Sequence, residues 1–178
     1  IGALPYAYGR LGLDAPIYCP LPLRNEGVYV LSNELISRTQ REPFTLFGEK
    51  DIRATMAHFL SADYGNELAI ATKNGLRVTV HKAGGKIGGG VWTITNEMES
   101  IVYAVSYNSL NEVLLDPLSA ELLARPWMLI TDISNVGVSV PKRTERDTQL
   151  QNAVATTLLR EGNVLLPVDS ASRWLELA

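Results

Sequence analysis

The sequence has 178 residues, of which 46% are hydrophobic and 20% are charged, and its net charge is -3 at pH 7. This length suits one domain or a large part of one, and the slightly acidic balance argues against nonspecific binding of a polyanion by this segment alone. A single cysteine, Cys19, excludes an intrachain disulfide and fits a reducing compartment, and no apolar run approaches the length of a membrane span.

The first third of the chain predicts a short buried strand between helices. Residues 1–13 suggest a helical turn closed by glycine, and residues 15–19 suggest a strand that puts Cys19 in the core. From Pro22 onward the apolar spacing is helical, at Val28, Leu31 and Leu35. A second helix over residues 50–60 would place four apolar side chains on one side, those of Ile52, Met56, Phe59 and Leu60.

The middle third predicts strands joined by glycine-rich turns. Residues 68–72 and 76–81 suggest a hairpin, because the Asn74-Gly75 pair accepts the positive φ angles of such turns. Two further strands are expected at 91–95 and 101–107, after a segment at 84–90 with five glycines. His81 ends a strand on its polar face, whereas His58 lies near a helix end and is expected to be a solvated or capping residue.

The last third predicts a short helix at 116–124, a buried strand at 127–131 that ends at Asp132, a long helix at 143–160 and a strand at 164–168. Strands that alternate with helices favour a layered α/β fold with mixed sheets. The chain starts at Ile1 and stops inside an apparent helix, so it is expected to be a segment of a longer protein.

Six motifs, in this order, resemble the metallo-β-lactamase and β-CASP nucleases of RNA 3′-end processing, and most of all their noncatalytic members. They are I-G-A-L-P at 1–5, H-K-A-G-G-K-I-G-G at 81–89, I-V-Y-A-V-S-Y-N at 101–108, R-P-W-M-L-I-T-D at 125–132, K-R-T-E-R-D at 142–147 and G-N-V-L-L-P-V-D at 162–169. The resemblance spans nearly the whole chain and is weakest over residues 39–74.

The resemblance implies an αββα four-layer metallo-β-lactamase-like sandwich with mixed sheets. Residues 1–168 would form part of that domain, with its start missing, and residues 169–178 would begin a helix that leads into a β-CASP domain outside this segment. The H-x-H-x-D-H motif of the family would precede Ile1, and the later β-CASP motifs would follow Ala178.

The resemblance also implies that two metal ligands are lost. The family histidine of A-G-H-x-x-G corresponds to Gly85, and the family aspartate of Y-A-V-D corresponds to Ser106, whereas the acid of the first β-CASP motif is retained as Asp132. Glycine has no ligand atom, and a serine hydroxyl does not ionise near pH 7 to bridge two dications. Neither His58 nor His81 occupies an evident replacement position, so no metal cofactor is expected.

The implied function is that of a catalytically inactive, nuclease-like scaffold subunit. It would act in the nucleus, in the pre-mRNA 3′-end cleavage and polyadenylation complex, paired with the catalytic endonuclease paralogue and other subunits, contacting RNA mainly through the whole complex and no membrane. Two alternatives remain, an active zinc-dependent RNA endonuclease with a reduced metal site and the noncatalytic paralogue of the Integrator complex.

A third alternative is an RNA-binding module that uses Lys142, Arg143 and Arg146. These residues share one helix end with Glu145 and Asp147. A solvated helix start of mixed charge is therefore the favoured interpretation of this cluster.

Overall fold

The computed structural model describes residues 1–70 and 75–168. These residues form two compact units, one over Ile1–Thr131 and a second that begins at Asp132. The first unit contains three helices and seven strands, α1 Leu4–Arg10, β1 Ile17–Cys19, α2 Leu21–Arg41, α3 Glu49–Met56, β2 Phe59–Ser61, β3 Glu67–Ala69, β4 Arg77–Lys82, β5 Gly90–Thr95, β6 Ser100–Ala104 and β7 Met128–Thr131, with a short 3-10 helix at Ala120–Leu123 before β7. The second unit contains α4, Arg143–Leu159.

Two sheets are present in the first unit. In the smaller one, β1 and β2 pair in parallel, with Ile17 opposite Phe59. In the larger one the strand order is β3-β4-β5-β6-β7. Its first four strands are antiparallel, and β7 joins β6 in parallel, which makes the sheet mixed as the sequence predicts.

The helix α2 follows the predicted pattern. Proline stands in its first turn, where no backbone N–H is required, and Arg38 and Arg41 lie in its last turn, where cations interact favourably with the free carbonyl groups. Its apolar stripe buries Leu31 and Leu35 against Phe47 and Ile52. This cluster is the core between α2 and α3.

The helix α3 begins with a capping interaction that the sequence analysis did not use. The backbone N–H of Gly48 donates to the Asp51 carboxylate at 2.9 Å, and the Thr55 hydroxyl donates back to the Asp51 carbonyl at 2.7 Å. The helix ends at Met56, so the prediction that it continues through Phe59 and Leu60 is wrong. Phe59, only 1% exposed, instead pairs with Ile17 in the smaller sheet.

The larger sheet has a second core on one face. Val91, Val102 and Ala104 on the strands pack with Ala83 and Leu118 from the following loops. These side chains share a face because alternate residues of a strand, and residues opposite one another in an antiparallel pair such as Thr93 and Val102, point to the same side. His81 lies opposite Val91 and therefore points to this core face, so the prediction that it lies on a polar face of its strand is wrong. This core joins the strands to the loops that leave them.

Several predicted elements differ in the structure. The strand β7 lies at the edge of the described sheet and is not buried, since Met128, Leu129 and Ile130 are each 40–42% exposed. The predicted helix at 116–124 is reduced to the single 3-10 turn, and residues 164–168 do not form a strand. The β3–β4 pairing supports the predicted hairpin, but residues 71–74 of its turn lie outside the described residues, as do residues 169–178 of the predicted final helix.

The described helices include none that is both long and apolar enough to span a bilayer.

Replacing Leu31 with Ala is expected to lower the free energy of unfolding by about 2–5 kcal/mol, because a fully buried side chain leaves a cavity. Replacing Ile36 with Ala on the same helix is the matched control, since Ile36 is half exposed and should cost about 0.5 kcal/mol or less. Denaturant unfolding of both variants measures the difference. Equal losses would contradict the assignment of the α2 buried face.

Candidate functional site

The candidate site lies at one edge of the larger sheet. Both β4 and β6 run antiparallel to β5, so their carboxyl-terminal ends lie at the same edge. Gly85 follows β4 by three residues, and Ser106 follows β6 by two. The strand β6 ends earlier than predicted, at Ala104, which leaves Ser106 exposed in a bend beyond the ladder.

The loops after β4 and β6 are joined by backbone hydrogen bonds. The N–H of Asn108 donates to the Ala83 carbonyl at 2.7 Å, and the N–H of Leu118 donates to the Asn108 carbonyl at 2.9 Å. The Asn108 side chain accepts from the N–H of Leu110 and donates to Glu112. Asn108, near the start of the 105–119 segment, is therefore bonded both to the loop after β4, at Ala83, and to the end of its own segment, at Leu118.

Gly84 and Gly85 have different structural requirements. Gly84 has φ +72°, and a Cβ there would lie 2.5 Å from the Asn108 carbonyl oxygen and 3.0 Å from that of Asp116. Both the backbone conformation and the close approach require glycine. A Cβ on Gly85 would meet nothing nearer than the Asn108 Cβ at 3.9 Å, which is ordinary van der Waals contact.

This geometry places Gly85 beside the residues that directly follow Ser106. The neighbours of a Gly85 Cβ would be Asn108 and the carbonyl carbon of Tyr107. A β-carbon is therefore sterically admissible at position 85. Packing does not account for the missing side chain there, in contrast to Gly84.

Further polar contacts fasten the β4 loop. The Tyr64 hydroxyl donates to the Gly89 carbonyl at 2.9 Å, and burial raises the pKa of Tyr64. Lys82 Nζ lies 2.6 Å from the Asp116 carboxylate, and the hydrogen bond and the charge of this ammonium lower the pKa of Asp116. The pair is exposed, so its contribution to stability is small, but it links the end of β4 to the 105–119 segment.

The two histidines have different surroundings. His81 is half-buried, and desolvation lowers its pKa. It lines a cleft of about 570 Å³ together with Tyr64, Lys82 and Glu121. His58 instead stacks on the Tyr8 ring at 4.5 Å between centroids, before β2. Over residues 1–70 and 75–168, no three His, Cys, Asp or Glu side chains come together as a metal-binding group.

Cys19 is buried and forms no disulfide, and burial raises the pKa of its thiol. A thiol kept protonated in this way is a poor nucleophile and a poor metal ligand. Its position agrees with the core role predicted from the sequence.

The other predicted site residues belong to the second unit. The Asp132 carboxylate accepts hydrogen bonds from the backbone N–H and the hydroxyl of Ser134, which lower its pKa. In α4, Arg143 and Arg146 lie 3.3 and 3.6 Å from the two oxygens of Asp147, and Lys142 is the residue before the helix. Two of the three basic groups therefore share one carboxylate, which reduces the positive charge that they offer to a phosphate backbone.

Sequence reasoning missed the residues that hold the loops together. The sequence does not distinguish Gly84 from the other four glycines of residues 84–90. It also predicts no hydrogen bond for Asn108 or Tyr64. The positive φ of Gly84 could have been suspected from the adjacent Gly84-Gly85 pair after a strand, but its approach to Asn108 has no sequence signal. Asp132 remains a predicted motif residue whose role no contact establishes.

A model of the metallo-beta-lactamase superfamily domain matches residues 1–130. The chain belongs to this superfamily. The α/β fold with mixed sheets predicted from the sequence is thereby confirmed, as part of a domain.

Related proteins from other organisms extend this result. Cleavage and polyadenylation specificity factor subunit 2 of Arabidopsis thaliana is 36% identical over 99% of this chain, and the match covers 24% of that protein. Cleavage factor two protein 2 of Schizosaccharomyces pombe is 35% identical over 99% of this chain and is covered to 23%. Transcription termination factor FttA of Methanothermobacter thermautotrophicus is 28% identical over 99% of this chain, with 28% covered.

These matches confirm the resemblance seen in the sequence motifs. The chain spans about a quarter of the length of the curated plant and yeast relatives that it matches.

Replacing Gly84 with Ala is expected to destabilise the full-length protein by about 2 kcal/mol or more, because the new Cβ meets two carbonyl oxygens at a positive φ. Replacing Gly85 with Ala is the matched control. It should be neutral or stabilising by up to about 1 kcal/mol, since its backbone and surroundings accept a Cβ. Thermal unfolding of the two variants measures the contrast, and a larger loss at Gly85 would refute it.

Replacing His81 with Gln is expected to flatten the pH dependence of stability below neutrality. The pKa of His81 is lowered in the folded state, so the unfolded chain binds more protons as pH falls through the ordinary histidine value of about 6.5. Stability is therefore lost on acidification in the wild type. Free energies of unfolding between about pH 7.5 and about pH 5 measure the slope. An unchanged slope in the variant would contradict the inferred shift.

Proposed function

We propose that this chain is part of a catalytically inactive, nuclease-like subunit of the pre-mRNA 3′-end cleavage and polyadenylation complex. In this proposal it acts in the nucleus as a scaffold, pairs with the catalytic endonuclease paralogue and meets RNA mainly through the assembled complex. The names of the relatives support the process, because plant, fly, worm and yeast proteins related to cleavage and polyadenylation match nearly the whole chain.

The observation that carries the inactive role is the chemistry at Gly85 and Ser106. A two-metal hydrolase needs imidazole and carboxylate groups to hold two dications and to activate water. The positions that the family motifs assign to such groups carry no side chain in one case and a neutral hydroxyl in the other.

The surroundings of these positions support loss of chemistry over structural constraint. Gly85 has room for a Cβ, so the glycine is not imposed by packing. The loops around it are fastened by hydrogen bonds from Asn108, Leu118 and Tyr64, which need no metal. A frame of this kind can keep its shape for partner binding after the ligands are gone.

The metal content of the full-length protein tests the proposal directly. Protein purified without chelator is expected to hold far less than the about two zinc equivalents of a dinuclear hydrolase, and to leave RNA uncut when assayed alone. The catalytic paralogue, purified in the same way, is the positive control for both measurements. About two equivalents of tightly bound zinc, with RNA cleavage abolished by a chelator, would instead establish the active-endonuclease alternative.

A second experiment concerns Ser106 within the complex. Replacing Ser106 with Ala in a reconstituted cleavage complex is expected to leave RNA cleavage by the paralogue unchanged, because the hydroxyl is exposed and assigned no catalytic role. The corresponding substitution of the metal-bridging aspartate in the catalytic paralogue is the matched control and should abolish cleavage. Loss of cleavage with the Ser106 variant, in a complex of normal composition, would refute the inactive role.

A further inference from the structure

The cleft beside His81 has a composition that suits a particular ligand. It lies where the end of β4 faces the segment that leads into the 3-10 helix, and its volume is about 570 Å³. Its apolar wall is formed by Pro117, Leu118 and Leu122, of which Leu118 is almost fully buried and belongs to the core. We call this site the His81 cleft.

The charges of the His81 cleft leave one carboxylate in excess. Lys82 is already held by Asp116, with 2.6 Å between Nζ and the carboxylate oxygen. Glu121 lines the cleft and is exposed, and within the described part of the chain it forms no ion pair. The His81 imidazole is half-buried, and its lowered pKa keeps it neutral at pH 7, so it adds no positive charge.

An apolar wall next to an unmatched carboxylate is complementary to a side chain with an apolar stem and a cationic end. The stems of lysine and arginine pack along apolar surfaces while their charged ends stay at the polar rim. We propose that the His81 cleft binds an arginine or lysine side chain of a partner protein's peptide segment, with the stem on the partly exposed Pro117 and Leu122 and the cation at Glu121.

This assignment separates the cleft from an RNA site. A phosphate backbone needs cations that are not already neutralised, and Lys82, the lysine that lines the cleft among the described residues, is paired with Asp116. The excess carboxylate would repel a polyanion. The inference does not rest on the inactive role proposed above, because neither Gly85 nor Ser106 lines the cleft.

Capped peptides test the proposal with the full-length protein. The probes are Ac-Ala-Leu-Arg-Leu-Ala-NH2 and the same peptide with citrulline, a neutral isostere of arginine, in place of the arginine. The protein variants are Glu121→Gln and the matched control Glu97→Gln, which removes an exposed glutamate from the β5–β6 turn. Binding is measured by isothermal titration calorimetry at low and high salt.

The arginine peptide is expected to bind the wild type and the Glu97→Gln variant equally, and to bind the Glu121→Gln variant about three- to fivefold more weakly. The citrulline peptide should show a similar loss with the wild type and no further loss with Glu121→Gln, and high salt should reduce the difference between the two peptides. Equal affinities for both peptides, or no binding of either, would overturn the proposal. Tighter binding of oligouridylate than of the arginine peptide, with the same oligouridylate affinity in the wild type and in both variants, would also overturn it.

Discussion

The backbone junction between the loops after β4 and β6 is the constraint on which the site depends. Two main-chain hydrogen bonds run through Asn108, one to Ala83 and one from Leu118. They can form only because Gly84 has no side chain and adopts a positive φ, which lets the Asn108 carbonyl pass 2.5 Å from where a Cβ would stand. The same loops supply Ala83 and Leu118 to the core of the sheet, so the edge and the interior are built together.

Under the proposed inactive role, this junction accounts for a fold that keeps its strand ends together without bound metal ions. In a metal-dependent hydrolase, ions bound between strand ends contribute to holding those ends together. Here the equivalent connection is made by backbone hydrogen bonds, by the Tyr64 hydroxyl on Gly89 and by the Lys82–Asp116 pair. None of these contacts needs an ion, so the arrangement of the two loops does not depend on a bound metal.

The same edge carries two regions of different chemistry. Around Gly85 and Ser106 there is little that could activate water, whereas the His81 cleft combines an apolar wall with the Glu121 carboxylate. The basic residues of α4 are partly neutralised by Asp147 in their own unit.

The sequence by itself determined the elements whose patterns are long or strictly alternating. The spacing of Leu31 and Leu35 specified α2 and its buried side, and alternation specified β4 to β6, because the side-chain period of an isolated element depends only on its own backbone. The motifs also identified Gly85 and Ser106 as the positions that correspond to metal ligands in the family. Short apolar runs were not decidable in this way, since Phe59 and Leu60 fit a helix stripe as well as a strand.

Tertiary structure decided what covers each element and which loops meet. The composition of Met128–Thr131 predicts a buried strand, but in the described part of the chain this strand lies at the edge of the sheet, a position that its own sequence does not reveal. The contrast between Gly84 and Gly85 depends on Asn108, more than twenty residues away along the chain, and is invisible until both loops are placed. Periodicity describes one segment at a time, whereas close packing is set by pairs of segments that only the folded chain brings together.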